Sequence, residues 1–599
     1  MRFSFLKTKF EEMFGADLRS LAVLRIGTAI LILVDLFQRS QDLVAHYTDF
    51  GVLPRAAAID ALYSRWMLSL HFANGSWQFQ ALLFLIAAVA ALALLIGFRT
   101  RPATIISWVL LISLDARNVL LAQGADTLLR LMLFWGIFLP WGAMYSVDSA
   151  LNPSSEKQPE RCLTWGTFAY QMQIVFVYWF SVLLKTAPEW RTEGTGVYYT
   201  LSIDSLTTPV GQYLLQFPEL MKMLTYAVFW FELLGPVLLF FPFFTGAIRT
   251  ITLLGFLLLH LGFGLCLALG LFPWISSVSL LGFLPSWFWE QVRSFTRTDD
   301  RFRIKIYYDE DCGFCSRSVR LIRTFLLLRE TQLLPAQGDL SIEKDMEKRH
   351  SWVVVNSAGE RAFGFRGTLV LMRMSPLLWP VEYLLKWSPI VELGEMAYQF
   401  FAGHRKVVCL PEQLRLTKPV PNLELSPFTS AIVAALLLYV FLWNWQGLAF
   451  NKEHQVLSER LRAVGYVLRL DQAWNMFAPY PTKQDGWFVV LGQLRYGVVV
   501  DVFGNDNGKD VSWEKPVSVL ETYKNHHWWR YLRWVWSQPD AAHKVNYARY
   551  LCRSWNSNHN GLEKLEELAI FFMLETTLPN YQHFEPQRRL VIRHKCDGS

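Results

Sequence analysis

Residues 304–317 read Ile-Lys-Ile-Tyr-Tyr-Asp-Glu-Asp-Cys-Gly-Phe-Cys-Ser-Arg, and that stretch decides how the middle of the chain folds. The apolar run 304–308 predicts a short strand. Turn residues follow from Asp309 to Gly313, and residues 316–328 have the apolar periodicity of a helix. Cys312 and Cys315 therefore sit where a strand hands over to a helix N-terminus. Unpaired amides and the helix dipole there stabilise a thiolate, and Arg317, Arg320 and Arg323 add positive potential. Two intervening residues allow the pair to close a disulfide within one turn. Cys312, nearer the helix start, is expected to attack as the thiolate, and Cys315 to resolve the mixed disulfide.

Half of a zinc site is the competing reading. It needs a second Cys/His pair at ligand spacing, and none lies nearby: Cys409 is single, and His404 precedes it by five residues without a partner. Spacing and strand–helix context favour redox over metal. The stretch also resembles the DCC family of thiol-disulfide oxidoreductases, named for an Asp-Cys-Cys pattern that Asp309, Cys312 and Cys315 match. The family's Asp-Gly-x-Cys stands here as Asp309-Glu310-Asp311-Cys312. Ala397-Tyr398 through Gly403-His404-Arg405 to Cys409 is similar to its closing motif. The resemblance covers about residues 302–411. It implies a thioredoxin-like α/β fold and a thiol or disulfide partner, either a protein or a small molecule.

Outward from this segment the chain is apolar. Of 599 residues 53% are hydrophobic and 18% charged, and the mean hydropathy is +0.23. With the apolar residues clustered, this composition predicts an integral membrane protein whose partner is the lipid bilayer. The 25 Trp suit residues that seek the membrane interface. A net charge of +7, modest and dispersed, makes no case for nucleic acid. Among seven cysteines only Cys312 and Cys315 are close, so no disulfide framework is indicated.

Apolar stretches near 20 residues predict spans at 18–37, 80–97, 104–121, 127–145, 166–184, 224–243 and 251–271, a shorter one at 275–288, and a ninth at 428–448. Residues 1–17 show no pattern of a removable signal peptide. Pro419, Pro421 and Pro427 mark a linker. Lys7, Lys9 and Arg19, then Arg99 and Arg101, Lys157 and Arg161, and Arg249 occupy alternate loops, which the positive-inside rule assigns to the cytoplasm. Eight spans return the chain to that side at Arg293–Arg303, so the redox segment is expected in the cytoplasm and the tail outside, in a bacterial inner or plasma membrane. If 275–288 only dips into the interface, the two exchange sides.

Ionisable residues inside spans are functional candidates by default. Asp126 and Arg130, four apart on one helical face, read equally as a structural ion pair or a substrate contact. Arg25 and Asp35 read as bracing residues by the same logic. Glu232 and His260 lie deeper, as candidates to relay a proton or bind a polar headgroup. Lys185 closes the fifth span and reads either as a desolvated base or as a snorkelling side chain.

Residues 1–290, with roughly 425–599, resemble the HTTM family, the horizontally transferred transmembrane domain that includes the vitamin K-dependent gamma-carboxylases. The matching residues are Asp126, Arg130, Phe138-Leu139-Pro140, Ser146-Val147-Asp148, Lys185 five before Trp190, Gly194-Thr195, and Trp474-Asn475-Met476-Phe477-Ala478-Pro479. The resemblance places Lys185 where those enzymes keep their catalytic base. Their His in the third-to-fourth loop has no counterpart in 115–126, which counts against gamma-carboxylation proper and leaves quinone or hydroquinone chemistry in a related pocket open.

In the tail, 487–494 and 498–503 predict a hairpin around Tyr496-Gly497, and 528–536 and 541–555 predict helices. His526-His527, His543 and His559 lack metal spacing. Cys552 and Cys596 are free to pair if the tail is outside the cell. The expected architecture is a polytopic α-helical membrane protein (1–290), an inserted thioredoxin-like α/β domain (302–411), a linker (412–427), a ninth span (428–448) and a C-terminal α+β extramembrane domain (449–599). Three functions compete: a membrane-bound thiol-disulfide oxidoreductase, with or without electron exchange at a quinone-type or carboxylase-like site in the membrane domain; a carboxylase-like enzyme with Lys185 as base and the dithiol as reductant; and a non-enzymatic transporter or scaffold.

Overall fold

Asp17 caps the first long helix, α1 (Leu18–Ser40), its carboxylate accepting from the Arg19 amide at 2.8 Å. Ser76 caps α2 (Trp77–Ile96), which ends at Gly97 in the left-handed region (φ 67°). There follow α3 (Thr100–Arg117), α4 (Gly124–Gly136), α5 (Trp165–Leu184), α6 (Pro218–Leu238), α7 (Thr245–Cys266) and α8 (Phe272–Leu280). The computed structural model describes residues 2–152, 159–296, 304–328, 331–356, 358–376, 378–403, 423–448, 456–503, 511–539, 541–579 and 582–596. Among these, α1, α2, α5, α6, α7 and Pro427–Gln446 are long and apolar enough to cross a membrane.

The two ends of α1 define two faces of the bundle. At the Asp17 face, Ala16–Asp17 pairs antiparallel with Arg161–Cys162, and the Asp148 carboxylate accepts from the amides of Arg99 (2.9 Å) and Thr100 (2.8 Å). At the Asp42 face, Asp42 accepts from Lys524 Nζ (2.6 Å) and Asn525 Nδ2 (2.7 Å) of the tail. The short eighth segment, Phe272–Phe283, joins the two. Gly270 lies against the His526 ring at one end, and at the other the Leu284 carbonyl accepts from Ser20 Oγ at 2.7 Å. Helix α4 stops at Gly136, short of the expected 127–145 span; a capping box of Gln123 and Asp126 starts it early.

The redox segment forms a four-stranded sheet of β1 (Lys305–Tyr308), β2 (Gln332–Pro335), β3 (Val353–Val355) and β4 (Arg361–Phe363), in the order β2-β1-β3-β4. β1 and β2 are parallel, and the other pairs antiparallel. Helix α9 (Gly313–Phe325) is the crossover between β1 and β2, with α10 (Leu340–Arg349) and α11 (Gly364–Met374) following. Val319 of α9 and Leu371 of α11 pack with Ile304, Ile306 and Val354. Ile342 of α10 packs with Ala336 and Val353 in a separate cluster. The unit meets the Asp17 face, where Arg320 of α9 donates to the Asn152 carbonyl at 3.4 Å.

Ser426 caps α12 (Pro427–Gln446), which packs on α5 through Phe441 against Phe176 and Phe180. The tail lies on the Asp42 face. It holds β5 (Gln484–Leu494), β6 (Val499–Asp501), α13 (His526–Ser537), α14 (Ala541–Asn558), β7 (Leu565–Leu578), β8 (Gln582–His583) and β9 (Gln587–Lys595). The sheet order is β8-β7-β5-β6, with β9 also on β7. The expected hairpin is β5–β6; the strands β7 and β9 that complete the sheet were not anticipated. Cys552 and Cys596 are disulfide-bonded, 44 residues apart.

Candidate functional site

The dithiol is built by the start of α9. The helix begins at Gly313, three residues before the expected 316, so Cys312 becomes its N-cap and Cys315 falls in the first turn. The Cys315 amide donates to Cys312 Sγ at 3.4 Å, so a backbone donor points at that sulfur. Both cysteines are half-buried. Asp309 shapes the approach: its carboxylate accepts from the Asp311 amide (3.1 Å) and Gln337 Nε2 (2.8 Å), and its carbonyl from the Cys312 amide (3.3 Å). Tyr398 donates to Ser351 Oγ at 3.0 Å. Residues 404–409 of the expected closing motif lie outside the described residues.

A second centre lies at the Asp42 face. Lys185 is the C-cap of α5 and 4% exposed, and its Nζ forms an ion pair with Glu232 of α6. It does not snorkel. Nζ lies 4.8 Å from the centre of the Trp190 ring, a cation–π distance. Trp190 Nε1 donates to the Phe477 carbonyl of the tail at 2.9 Å. Together they line a cavity of about 830 Å3 whose walls include Leu201, Phe263, Leu267 and Met476, with Arg530 and Arg533 of the tail. His260 is apart from the ion pair: its Nε2 shares a 2.7 Å hydrogen bond with Tyr178 Oη. His260 and Glu232 both line a small space of about 30 Å3.

Asp126 and Arg130 do not pair with each other, although helical spacing puts them on one face. Asp126 binds Arg39 at 2.6 Å, and Arg39 also binds Asp35 at 2.8 Å. Arg130 reaches the tail, donating to Asp471 Oδ2 at 3.1 Å and to the Arg469 carbonyl at 3.1 Å. Long-range partners won because each buried charge takes the opposite charge that the packing presents, whatever its sequence distance. Both residues thus clamp elements together, as does Arg25, which donates to the Tyr145 carbonyl.

His526, set aside in the sequence for lack of metal spacing, takes a place at the cavity that the sequence does not signal. Its Nε2 hydrogen-bonds Gln123 Oε1 at 2.7 Å, its ring stacks on Trp529 at 5.1 Å, and it lines the Lys185 cavity. Burial lowers its pKa to about 4, against a raising contribution from the Ala268 carbonyl, so it is neutral at physiological pH. No periodicity links position 526 to the 115–126 loop; only the docked tail brings it there.

The two centres lie on opposite faces of the bundle, which α5 crosses with 20 residues that rise about 30 Å. Residues 15–287 match the family model of the HTTM domain, and residues 306–409 that of the DCC1-like thiol-disulfide oxidoreductase. No curated protein and no solved structure matches the chain. The first match ends before the tail, whose contacts with Arg130 and Trp190 tie it to the bundle. The chain accordingly combines membrane-type helices, a segment similar to the HTTM domain and a segment similar to DCC1-like thiol-disulfide oxidoreductases.

Proposed function

We propose that this protein is a membrane-bound thiol-disulfide oxidoreductase acting through Cys312 and Cys315. The observation that carries the reading is Cys312 as N-cap of α9, its sulfur accepting from the Cys315 amide. The strand order β2-β1-β3-β4, parallel then antiparallel, supports a thioredoxin-like unit. Cys312 thiolate attacks a partner disulfide, and one partner sulfur leaves as a thiolate. Cys315 then attacks Cys312 Sγ, closing the Cys312–Cys315 disulfide and releasing the second partner sulfur. The partner gains two electrons and the dithiol loses two; the reverse sequence oxidises a dithiol partner. Asp309 is a positioning residue that holds the turn into Cys312.

The tail supports one orientation. A disulfide between Cys552 and Cys596 persists in an oxidising compartment. That supports the tail outside and the dithiol, on the opposite face, in the reducing cytoplasm.

The test is disulfide exchange by the purified full chain. Cys312→Ser is expected to abolish it, and Cys315→Ser to leave a stable mixed disulfide with the partner. Exchange at the wild-type rate in Cys312→Ser would sink the reading.

A second reading, a quinone-type site in the HTTM domain, draws on the cavity at Lys185. Its apolar walls suit a ring and isoprenoid tail, and Lys185, Glu232 and Trp190 suit a polar, redox-active head. A quinone bound there would supply two-electron chemistry. The chain's own part is to hold the head with the Lys185–Glu232 pair, which can hold or give up a proton at Glu232 Oε2. Because α5 separates this cavity from Cys312, the dithiol does not reach it by contact, and electron exchange between them needs a mobile carrier.

A further inference from the structure

A cavity of about 950 Å3 at the Asp17 face belongs to neither site above. One wall is the N-terminus of α7. Phe244, the N-cap, supplies no side-chain acceptor to the first amides of this 22-residue helix, which leaves donors and the positive end of the dipole facing the cavity. Two side chains lining it are under-matched. Thr245 is 9% exposed, and its hydroxyl has no hydrogen-bond partner among the described residues. Arg249, one turn on, is 2% exposed. Its Nε donates to the Leu239 carbonyl at 2.7 Å and its Nη2 to the Met13 carbonyl, and among the described residues no carboxylate pairs with it. A buried guanidinium without a counter-charge is costly.

Arg161 adds a second cation, its Nε fixed by Ser286 Oγ at 2.6 Å. The carboxylates at the cavity are mostly spoken for: Asp17 by Arg19 at 2.7 Å and Glu12 by Lys9 at 2.7 Å, while Glu290 is exposed. The remaining rim is apolar, and at the end of a membrane helix it leaves Phe243 and Phe244 67% and 84% exposed. An anion-accepting pocket beside bare aromatic surface at the level where a span begins matches an amphiphile with an anionic head.

We propose that this cavity binds the phosphate of an anionic phospholipid. The Thr245 hydroxyl, the first amides of α7 and the guanidinium groups of Arg249 and Arg161 surround the phosphate, and the acyl chains run along Phe243, Phe244 and Trp287. The test uses the delipidated full chain, with thermal-shift titration and native mass spectrometry against dioleoyl phosphatidylglycerol, dioleoyl phosphatidylcholine and inorganic phosphate. Phosphatidylglycerol is expected to bind one per chain and raise the unfolding temperature, while the other two have little effect. Thr245→Val with Arg161→Gln should weaken it tenfold or more without moving the lipid-free unfolding temperature or thiol exchange. Arg99→Gln with Arg101→Gln, on the same face but off the cavity, should leave binding unchanged. If the double variant fails to fold, Arg161→Gln alone, at an exposed position, carries the same expectation with a smaller loss. Equal binding of phosphatidylcholine, unchanged affinity in the variants, or inorganic phosphate binding as tightly as the lipid would each overturn the assignment.

Discussion

A lysine at the end of a membrane helix lowers its free energy either by snorkelling to headgroups or by meeting a buried anion. Lys185 takes the second course with Glu232, under the Trp190 ring. Removing one partner of such a pair leaves the other charge buried and unmatched. Lys185→Ala or Glu232→Gln is therefore expected to cost about 3–5 kcal/mol of stability in denaturant titrations, and Lys185→Met with Glu232→Met less than either single change. Single changes costing under about 1 kcal/mol would show that the pair is not buried as described. Neither change should alter thiol exchange at Cys312, which lies on the other face.

At the scale of elements, register and capping decide what a residue does. Starting α9 at Gly313 turns Cys312 into a cap, where a helix starting at 316 would leave it in a turn. In the tail, β5 brings Asp485 against Ser205, whose amide and hydroxyl donate at 2.8 and 2.7 Å. Withdrawal from water pushes Asp485 up to about 6, with the Ser205 bonds acting the other way. The folded state therefore binds more protons than the unfolded chain, whose Asp titrates near about 4. Stability of the tail should accordingly fall as pH rises from about 4 to about 6. Thermal unfolding across that range should show the decline in the wild type and lose this component in Asp485→Asn. Strand β7, which joins β5 to the rest of the sheet, escaped the sequence reading because Leu565–Leu578 carries consecutive apolar residues without clean alternation.

For the whole molecule the proposed orientation puts the dithiol and the Lys185 cavity on opposite membrane faces. A membrane-impermeant maleimide added to intact cells should fail to label Cys312 and Cys315 and label them after lysis, judged against the Cys312→Ser/Cys315→Ser double variant. Labelling in intact cells would reverse the proposed orientation. The sequence by itself determined the membrane character, because runs of about 20 apolar residues have no other stable solvent. It also determined the dithiol and its strand–helix setting, since residues 304–317 are contiguous and their chemistry is local. Lys185, Glu232 and Trp190 were legible as separate candidates, but their joining was not. What only the tertiary structure decided were the pairings between distant segments: Lys185 with Glu232, Asp126 with Arg39, Arg130 with Asp471, His526 with Gln123, and Cys552 with Cys596. Each depends on which surfaces the packed helices and the docked tail bring within a few ångströms, and a buried charge or thiol takes the partner that is near in space, for which sequence distance holds no signal.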